Sequence, residues 1–329
     1  MKSRKRVLGA VVTLISLPLV VALVEAVSFH VRNRNNGSIV SSGEKREYLL
    51  YVPKSYDATR PTPLVISMHG GGGWPAMQRD LSEWNRLAES HGFIVAYPSG
   101  LKDGVVRGWR VIHRGTGLTK DVQFISDLID GLESAYNIDP TRIYANGLSN
   151  GGGMAFVLSC TLSDRIAAVG MVAAAQMLPW SWCTDHRPVP MISFHGTDDP
   201  VVPYEGGTSW VWDGSFPDVS EWAANWALRN RCGPDTVESA VAADVTRRDY
   251  TDCADDAAVV LFKIHDGGHT WPGGQPLPEW FLGPTSREID ASSLMWEFFH
   301  EHRLGTDGNA EVPDRRNTGE GGPQPARPQ

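Results

Sequence analysis

The sequence predicts an α/β fold in which helices cover both faces of a mostly parallel central sheet. Short, continuously apolar segments alternate along the chain with longer segments whose apolar residues have helical spacing. Strands that are buried on both faces give such uninterrupted runs, and their alternation with helices is typical of parallel sheets. The hydrophobic content of 41% and the charged content of 21% are ordinary for a globular chain with a large core.

Six segments are predicted as strands because each is a short apolar run bounded by turn-forming residues. They are residues 46–53, 63–70, 92–98, 142–147, 189–196 and 258–267. In a parallel sheet the carboxyl ends of the strands share one edge, and ligands bind there. Functional residues are therefore expected immediately after strands.

Five further segments have the spacing of amphipathic or buried helices. They are residues 74–92, 120–138, 151–165, 218–230 and 290–302. Gly92 is expected to end the first of these helices, and Asp218 is expected to cap the fourth. Asp121, near the start of the second, is expected to be a helix cap rather than a catalytic group.

The first 27 residues are predicted to be a signal peptide or a signal anchor. Four basic residues among the first six precede residues 7–24, a run of 18 residues without a charge. A basic start before an apolar run directs export, and this run is nearly long enough to span a bilayer. An uncleaved anchor is favoured, with the basic end in the cytoplasm, and cleavage near Ala26 is the alternative.

The rest of the chain divides into three predicted parts. Residues 28–42 are polar and are predicted to be a linker, and residues 43–304 are predicted to form the catalytic domain. Residues 305–329 are rich in glycine, proline and charge, which predicts disorder. The formal net charge of -8 argues against nucleic acid as a partner. No pattern in the sequence predicts a cofactor or a metal.

The four cysteines are predicted to form two disulfides, because an even number in an exported chain usually pairs. Four cysteines allow three pairings. The pairs Cys160–Cys183 and Cys232–Cys253 are favoured because each closes a short loop. No C-x-x-C spacing indicates a zinc site.

Ser149 is predicted to be a nucleophile. It lies in a G-x-S-x-G motif with Gly147 and Gly151, between the predicted strand 142–147 and the predicted helix 151–165. A strand, a sharp turn and a helix in this order expose a serine at the edge of the sheet. The motif alone is weak, and a tight turn with an incidental serine is the alternative.

His269 is predicted to be the general base, because it lies in a glycine-rich loop directly after the last predicted strand. His265 is placed inside that strand and is expected to pack in the core. His300 and His302 lie on the last predicted helix and are expected to be solvated.

The acid that orients the base is predicted to be Asp199, which follows the predicted strand 189–196. Asp198 is the alternative, but neighbouring side chains of an extended loop point apart, so one of the two reaches His269. Pro200 restricts Asp199 to extended backbone angles. His195 is expected to orient this loop and not to act as the base.

The oxyanion hole is predicted to use backbone amides. Asn150, the residue after the nucleophile, is expected to donate one N–H group, and Gly71 or Gly72 in the run HGGGG is expected to donate the other. The acid lies between the nucleophile and the base in sequence, as it does in α/β-hydrolases. The predicted fold is therefore an α/β-hydrolase fold.

Several tryptophans lie in loops that are expected at the same edge of the sheet, where they are candidates for substrate contact. Trp271 and Trp74 are the preferred candidates, and packing within the loops is the alternative. The full set is Trp74, Trp180, Trp182, Trp210, Trp212 and Trp271.

The segments YVPKSYD, HGGGG, YANGLSNGGGMA, HGTDDPVVPY and GGHTWPGG resemble those of extracellular polyhydroxybutyrate-depolymerase-type esterases, which are relatives of feruloyl and acetylxylan esterases. The resemblance covers roughly residues 46–300. It implies a secreted serine esterase with an α/β-hydrolase fold. The resemblance also implies that Ser149, Asp199 and His269 form the catalytic triad.

The predicted activity is hydrolysis of carboxylic esters through an acyl-enzyme, without a cofactor or a metal. The expected substrate is a small-molecule or polymeric ester: a polyhydroxyalkanoate oligomer, or a feruloyl or acetyl ester of plant polysaccharide. A serine peptidase of the same fold is one alternative, and a non-catalytic polysaccharide-binding surface protein is another. The protein is expected outside the cytoplasm, either secreted or anchored to the membrane by residues 7–24.

Overall fold

The computed structural model describes residues 28, 31–104, 106–111, 117–175, 178–183, 187–210 and 212–305. The predicted signal or anchor and the last 24 residues of the predicted tail, 306–329, lie outside these ranges. Within the described ranges, no helix is long and apolar enough to cross a membrane.

One large mixed sheet forms the centre of the domain. The strands are β1 (Gly37–Ser41), β2 (Glu44–Tyr51), β3 (Thr62–Met68), β4 (Ile94–Pro98), β5 (Leu101–Asp103), β6 (Val106–Gly108), β7 (Ile138–Leu148), β8 (Ala168–Val172), β9 (Met191–Gly196), β10 (Gly207–Ser209), β11 (Trp212–Phe216), β12 (Thr236–Ala242), β13 (Val245–Tyr250) and β14 (Val259–Ile264).

Ten of these strands are hydrogen-bonded in the order β1-β2-β4-β3-β7-β8-β9-β14-β13-β12. The six from β4 to β14 in this order run parallel to one another, and the two strands at each edge are antiparallel. The short pairs β5–β6 and β10–β11 stand apart from the sheet. The prediction of a mostly parallel sheet is confirmed.

Helices cover both faces of this sheet. They are α1 (Pro75–Ser82), α2 (Trp84–His91), α3 (Gly117–Ala135), α4 (Asn150–Thr161), α5 (Val219–Arg229), α6 (Glu279–Leu282) and α7 (Ala291–Glu301). The core on one face includes side chains of α3, α4 and α5, and the core on the other includes side chains of α1, α2 and α7. Every residue of β3 is therefore buried: Leu64 and Ile66 belong to the first core and Val65 to the second.

Two of the predicted helix signals have clear outcomes. The Asp218 cap is confirmed, because its Oδ1 accepts a hydrogen bond from the Glu221 amide at 2.8 Å. The segment 74–92, expected as one helix, forms the two helices α1 and α2. Glu83 between them adopts a left-handed backbone with φ 54°, which no continuous α-helix contains.

Four strands of the large sheet were missed or misplaced by the sequence analysis. β1 lies inside the predicted linker 28–42, so the sheet begins before residue 43. β12 and β13 form an edge hairpin, and β12 is too polar and exposed to give an apolar run. β8 lies within a long alanine-rich apolar segment, in which periodicity does not separate strand from helix.

Asp121 is not a helix cap, contrary to the expectation. It lies four residues inside α3 and is fully buried, where its Oδ1 accepts from the Arg46 guanidinium at 2.8 Å. Arg46 is 3% exposed and lies over the Phe124 ring at 3.9 Å. This buried ion pair joins the second strand to the first turns of α3.

The two predicted disulfides are present. Cys160 of α4 pairs with Cys183, and Cys232 after α5 pairs with Cys253. Each closes a loop of about twenty residues, for which the chain-entropy model gives about 3 kcal/mol of stabilisation. The first ties the tryptophan-containing loop 178–183 to the helix that follows Ser149.

Candidate active site

Ser149 occupies a strained turn between β7 and α4. Its φ of 53° and ψ of -121° lie outside the regions that residues with a side chain usually adopt. The turn is held by the Ser149 amide, which donates to the Val172 carbonyl at 2.8 Å. Ser149 is half-buried and lines a large cavity.

The two motif glycines are required by close backbone approach. A Cβ on Gly147 would lie 2.4 Å from the Gly151 carbonyl carbon, and a Cβ on Gly151 would lie 2.2 Å from the Met68 carbonyl oxygen. No real Cβ tolerates such distances, so β3, β7 and α4 reach this packing only without side chains at these positions. The need for glycine at these two positions agrees with the prediction from the motif.

His269 and Asp199 meet at the same edge of the sheet, each in the loop that follows a parallel strand. His269 Nδ1 lies 3.0 Å from Asp199 Oδ1 and 2.8 Å from Oδ2, so the imidazole donates to the carboxylate. Both residues are buried, at 5% and 4% exposure. His269 is also fixed through its amide, which donates to the Leu282 carbonyl at 2.6 Å.

The Asp199 carboxylate is ionised in spite of its burial. Oδ1 accepts hydrogen bonds from the Val201 and Val202 amides, both at 2.8 Å. Burial by itself raises the pKa of Asp199, but the charge and hydrogen bond of His269 and the backbone donor outweigh it and hold the pKa below its ordinary value. Asp198 is exposed, and among the described residues the side chain of His269 bonds to Asp199 and not to Asp198.

His195 packs beneath the acid. Its Nε2 donates to the Val202 carbonyl at 2.8 Å and lies 3.5 Å from Asp199 Oδ2. Burial lowers the pKa of His195, so the ring is neutral at neutral pH. His265, expected in the core, instead lies just after β14 and is exposed. The strand is shorter than its apolar run indicated.

The predicted oxyanion loop, residues 69–73, lies beside the turn that carries Ser149. A Cβ on Gly71 would lie 3.9 Å from the Asn150 Cβ, which shows how close the loop and the turn are. Asn150 is the first residue of α4, where an amide has no acceptor within its own helix. The Gly72 amide donates to the Arg107 carbonyl at 2.7 Å and is therefore not available as an oxyanion donor. Of the two glycines predicted from the sequence, Gly71 is therefore the one that remains a candidate oxyanion donor.

Trp109 joins the oxyanion loop to the nucleophile turn, a role that the sequence did not indicate. The Trp109 amide donates to Asn150 Oδ1 at 2.6 Å, and Asn150 Nδ2 donates to the Trp109 carbonyl at 3.0 Å. The Trp109 indole Nε1 donates to the His69 carbonyl at 3.0 Å. Trp109 is 41 positions from Asn150 in sequence, so no local pattern could have revealed this contact.

His69 is an internal support of the same loop. Its Nδ1 donates to the Gly70 carbonyl at 2.8 Å, and its Nε2 accepts from the Gly100 amide at 3.0 Å. This arrangement requires the neutral ring. Burial lowers the pKa of His69 to about 4, which keeps the ring neutral over the ordinary pH range.

A cavity of about 810 Å³ opens in front of Ser149 and His269. Its wall is mostly apolar and is built from the oxyanion loop, Trp109 and the loops after β9 and β14. No hydrogen bond joins Ser149 to His269 in the part of the chain that the structure describes. The apolar lining residues are Met77, Leu81, Leu101, Val106, Leu148, Ala174, Ala175, Val201, Val202, Trp210, Phe216, Leu277, Phe281 and Leu282.

The two tryptophans preferred for substrate contact do not line this cavity. Trp271 is 1% exposed, and its Nε1 donates to Ser292 Oγ at 3.0 Å, because the loop after His269 folds back under α7. Trp74 is half-buried, and its Nε1 donates to Asn33 Oδ1 at 2.7 Å. Trp210 does line the cavity, with its ring 5.2 Å from that of Phe281.

Trp180 and Trp182 are not among the residues that line the cavity. Trp180 packs edge-on against Phe156 of the core, with ring centroids 5.1 Å apart. Trp182 is 40% exposed. The side chain of Trp212 lies outside the part of the chain that the structure describes.

The sheet order, the strained serine turn and the helices on both faces define an α/β-hydrolase fold. Two solved structures show the same fold. An acetyl xylan esterase from Aspergillus awamori superposes with a TM-score of 0.58 at 17% identity, over 80% of this chain and 98% of that chain. A thermostable esterase superposes with a TM-score of 0.52 at 19% identity, over 82% and 62%.

Sequence comparison finds a matching family model and several related esterases. The model described as esterase PHB depolymerase matches residues 46–178. Feruloyl esterase B of Piromyces equi is 31% identical over 236 residues, which are 70% of this chain and 44% of that relative. A putative esterase, NocK of Nocardia uniformis subsp. tsuyamanensis, is 29% identical over 281 residues, 79% of this chain and 80% of the relative.

A probable feruloyl esterase C of Aspergillus niger is 29% identical over 263 residues, 77% of this chain and 83% of that relative. These matches support a polyhydroxybutyrate-depolymerase and feruloyl-esterase-like family for this chain. The chain spans less than half of the length of feruloyl esterase B.

Proposed function

We propose that this protein is a serine esterase that hydrolyses carboxylic esters through an acyl-enzyme, with Ser149, His269 and Asp199 as its triad. One observation carries the proposal: Ser149 lies on a strained turn in the same cavity as His269, whose Nδ1 is hydrogen-bonded to the buried Asp199. Acyl transfer requires a serine on such a turn, a histidine that can reach it and a buried carboxylate that orients the histidine.

The first step is attack by Ser149 on the ester carbonyl. His269 Nδ1 is engaged by Asp199, which leaves Nε2 to accept the Ser149 proton. The Asp199 carboxylate orients the ring and stabilises the imidazolium, and its own charge is held by the Val201 and Val202 amides. His269 then gives the proton to the departing alcohol. Water repeats the cycle on the acyl-enzyme and releases the acid.

Negative charge on the carbonyl oxygen is stabilised by the amides of Asn150 and Gly71. Neither amide donates to another backbone group among the described residues. The start of α4 adds positive potential at the same point. Each such donor contributes about 3–4 kcal/mol to the transition state in enzymes where it has been removed.

The names of the relatives support esters of plant polysaccharide as substrates, and the matched family model supports polyhydroxyalkanoate oligomers. The cavity of about 810 Å³ is within the range of sites that enclose drug-sized ligands. An acetyl group would leave most of it empty, so we expect a larger acyl or alcohol part. A peptidase is not favoured, because the relatives are named as esterases.

We also propose that the domain acts outside the cytoplasm. Two disulfides support this, because such bonds persist in oxidising compartments. Fractionation of cells that make the full chain, together with the mass of the mature protein, would separate secretion from anchoring. A reduced, full-length protein in the cytoplasmic fraction would contradict the proposal.

A substrate panel tests the proposed activity. It contains hydroxybutyrate oligomers, feruloyl esters, acetylated xylan and a short p-nitrophenyl ester, with the matching p-nitroanilide to detect peptidase activity. Wild type should hydrolyse esters and not the anilide, and Ser149→Ala should reduce kcat by about 10⁶-fold. Ser90→Ala, an exposed serine on α2, is the matched control and should retain the wild-type rate. Ester hydrolysis that survives in purified Ser149→Ala would assign the activity elsewhere.

A further inference from the structure

The cavity in front of Ser149 carries positive charge in a protein whose formal net charge is -8. Arg107 and Arg110 both line its wall, whereas no aspartate or glutamate does so in the described part of the chain. An acidic protein repels anions at long range. Two arginines without a carboxylate on the wall of an otherwise apolar cavity therefore need an explanation.

The two arginines differ in how they are held. Arg107 Nη1 donates to Ser99 Oγ at 2.5 Å and to the Gly100 carbonyl at 3.0 Å, which fixes its guanidinium against the protein. The Arg110 side chain makes no hydrogen bond or ion pair with any described residue. It is exposed and keeps all five of its donors for a ligand.

The backbone of Arg110 is nevertheless rigidly placed. Its amide donates to Asp121 Oδ2 at 2.9 Å, and the preceding residue, Trp109, is bonded twice to the Asn150 side chain beside the nucleophile. The charge of Asp121 is already paired with Arg46 at 2.8 Å. Glu44 is the other acid whose charge lies in this region, and it pairs with Lys120 at 2.8 Å. Glu44 is within electrostatic reach of Arg110, but neither it nor any other described acid forms an ion pair with the Arg110 side chain.

We propose that Arg110, supported by Arg107, binds a carboxylate of the substrate, so that the preferred substrates of this site are esters that carry an anionic group. The inference rests on the proposed esterase function and adds a substrate class to it. The guanidinium suits a carboxylate because its planar donors match the two carboxylate oxygens. A hydroxy-acid oligomer with a free carboxyl end has this chemistry, and a neutral polysaccharide ester does not.

The carboxylate can belong to the acyl part or to the alcohol part of the ester, and two pairs of substrates distinguish these cases. The first pair is the p-nitrophenyl monoester of glutaric acid and its terminal amide. The second pair is 3-acetoxybutyrate and 3-acetoxybutyramide, assayed by acetate release. Within each pair the carboxylate is replaced by a neutral group of nearly the same size.

The readout is the ratio of kcat/KM for the anionic ester to kcat/KM for its neutral partner. In at least one pair this ratio should fall about tenfold in Arg110→Gln, and further in Arg110→Glu, as expected for the loss of one charge-assisted contact. Arg110→Lys should recover part of the ratio, and high ionic strength should lower it in wild type. Arg60→Gln, an exposed arginine before β3, is the matched control and should keep the wild-type ratio.

An unchanged ratio in Arg110→Gln and Arg110→Glu for both pairs would overturn the inference and leave Arg110 as a solvated surface charge. Ser149→Ala separates that result from failure of the proposed function. If Ser149→Ala hydrolyses either neutral ester at the wild-type rate, the esterase site itself is wrongly assigned. If it does not, and the ratios are insensitive to Arg110, only the substrate class is wrong.

Discussion

The two halves of the candidate active site are built in different ways. The acid–base half, Asp199 and His269, lies in loops directly after β9 and β14, and Asp199 is held by the amides of Val201 and Val202 close by in sequence. The oxyanion half, the loop 69–73 and Asn150, is held by Trp109 and by the segment that Asp121 and Arg46 support. Asp199 is thus held by neighbours in its own loop, whereas the oxyanion half is held from segments distant in sequence. Substitutions in the first half should therefore mainly reduce catalysis, and substitutions in the second half should also reduce stability.

The largest effect is expected in the acid–base half, on catalysis rather than on folding. Asp199→Asn preserves the shape of the side chain but no longer stabilises the imidazolium or selects its tautomer. We expect kcat for a p-nitrophenyl ester to fall by about 10⁴-fold, as for the equivalent change in a serine protease. Asp198→Asn, the exposed neighbour, is the control and should remain within about twofold of wild type. Equal losses in the two variants would show that the activity depends on the loop as a whole and not on the Asp199 carboxylate.

The next largest effect is expected where the oxyanion half is supported, and there it concerns stability. Asp121→Ala leaves the Arg46 guanidinium buried without its partner. We expect the free energy of unfolding, measured by urea denaturation, to fall by about 3–5 kcal/mol. Glu44→Gln removes an acid from the exposed pair with Lys120 and should cause no measurable change. A small effect of Asp121→Ala would mean that water or another group solvates Arg46.

The dependence of stability on pH should report on His69. Burial lowers the pKa of His69 from 6.5 to about 4 in the folded state. The unfolded state therefore binds more protons between these values, and the stability due to neutral His69 is complete above pH 6.5 and is lost as the pH falls towards 4. The difference corresponds to about 3 kcal/mol.

His69→Gln should flatten this part of the curve of unfolding free energy against pH. His195 and His302 also have lowered pKa values because of burial and add loss of the same sign, so wild type and variant must be compared directly. His265→Gln, at an exposed site, should leave the slope as in wild type. Identical slopes for wild type and His69→Gln would contradict the neutral, buried role of His69.

The smallest effect is expected from the link between the two parts of the oxyanion hole. Trp109→Phe keeps an aromatic ring but removes the indole donor to the His69 carbonyl. We expect kcat to fall about tenfold with little change in KM, because the lost bond is worth about 1.4 kcal/mol and positions a donor used in the transition state.

Trp180→Phe is the control for loss of ring volume, since its indole nitrogen is buried without a hydrogen-bond partner among the described residues. It should retain kcat. A rise in KM with unchanged kcat in Trp109→Phe would instead assign Trp109 to substrate binding, because its ring also lines the cavity.

The sequence by itself was sufficient to predict that Asp199 and His269 meet and to predict most of the sheet. Apolar runs that lead into Gly147, Asp199 or His269 indicate both a buried strand and the functional residue beyond its carboxyl end, because a parallel sheet brings those ends together. Gly147 approaches Gly151 within the motif itself, so a five-residue pattern can record that contact, whereas Gly151 meets Met68 of the distant strand β3. The disulfide pairing was predictable from loop length in the same way.

Only the tertiary structure decided the oxyanion half and the wall of the cavity. Trp109 meets Asn150 across 41 positions, and Arg46 meets Asp121 across 75. Gly72 and Trp271 have the residue types that their predicted roles need. The Gly72 amide, however, already donates to the Arg107 carbonyl, and the Trp271 side chain is buried. Periodicity and motifs report structural constraints between residues that are close in sequence. Which polar group is already satisfied, and which face of a loop meets solvent, depends on partners that only folding brings together.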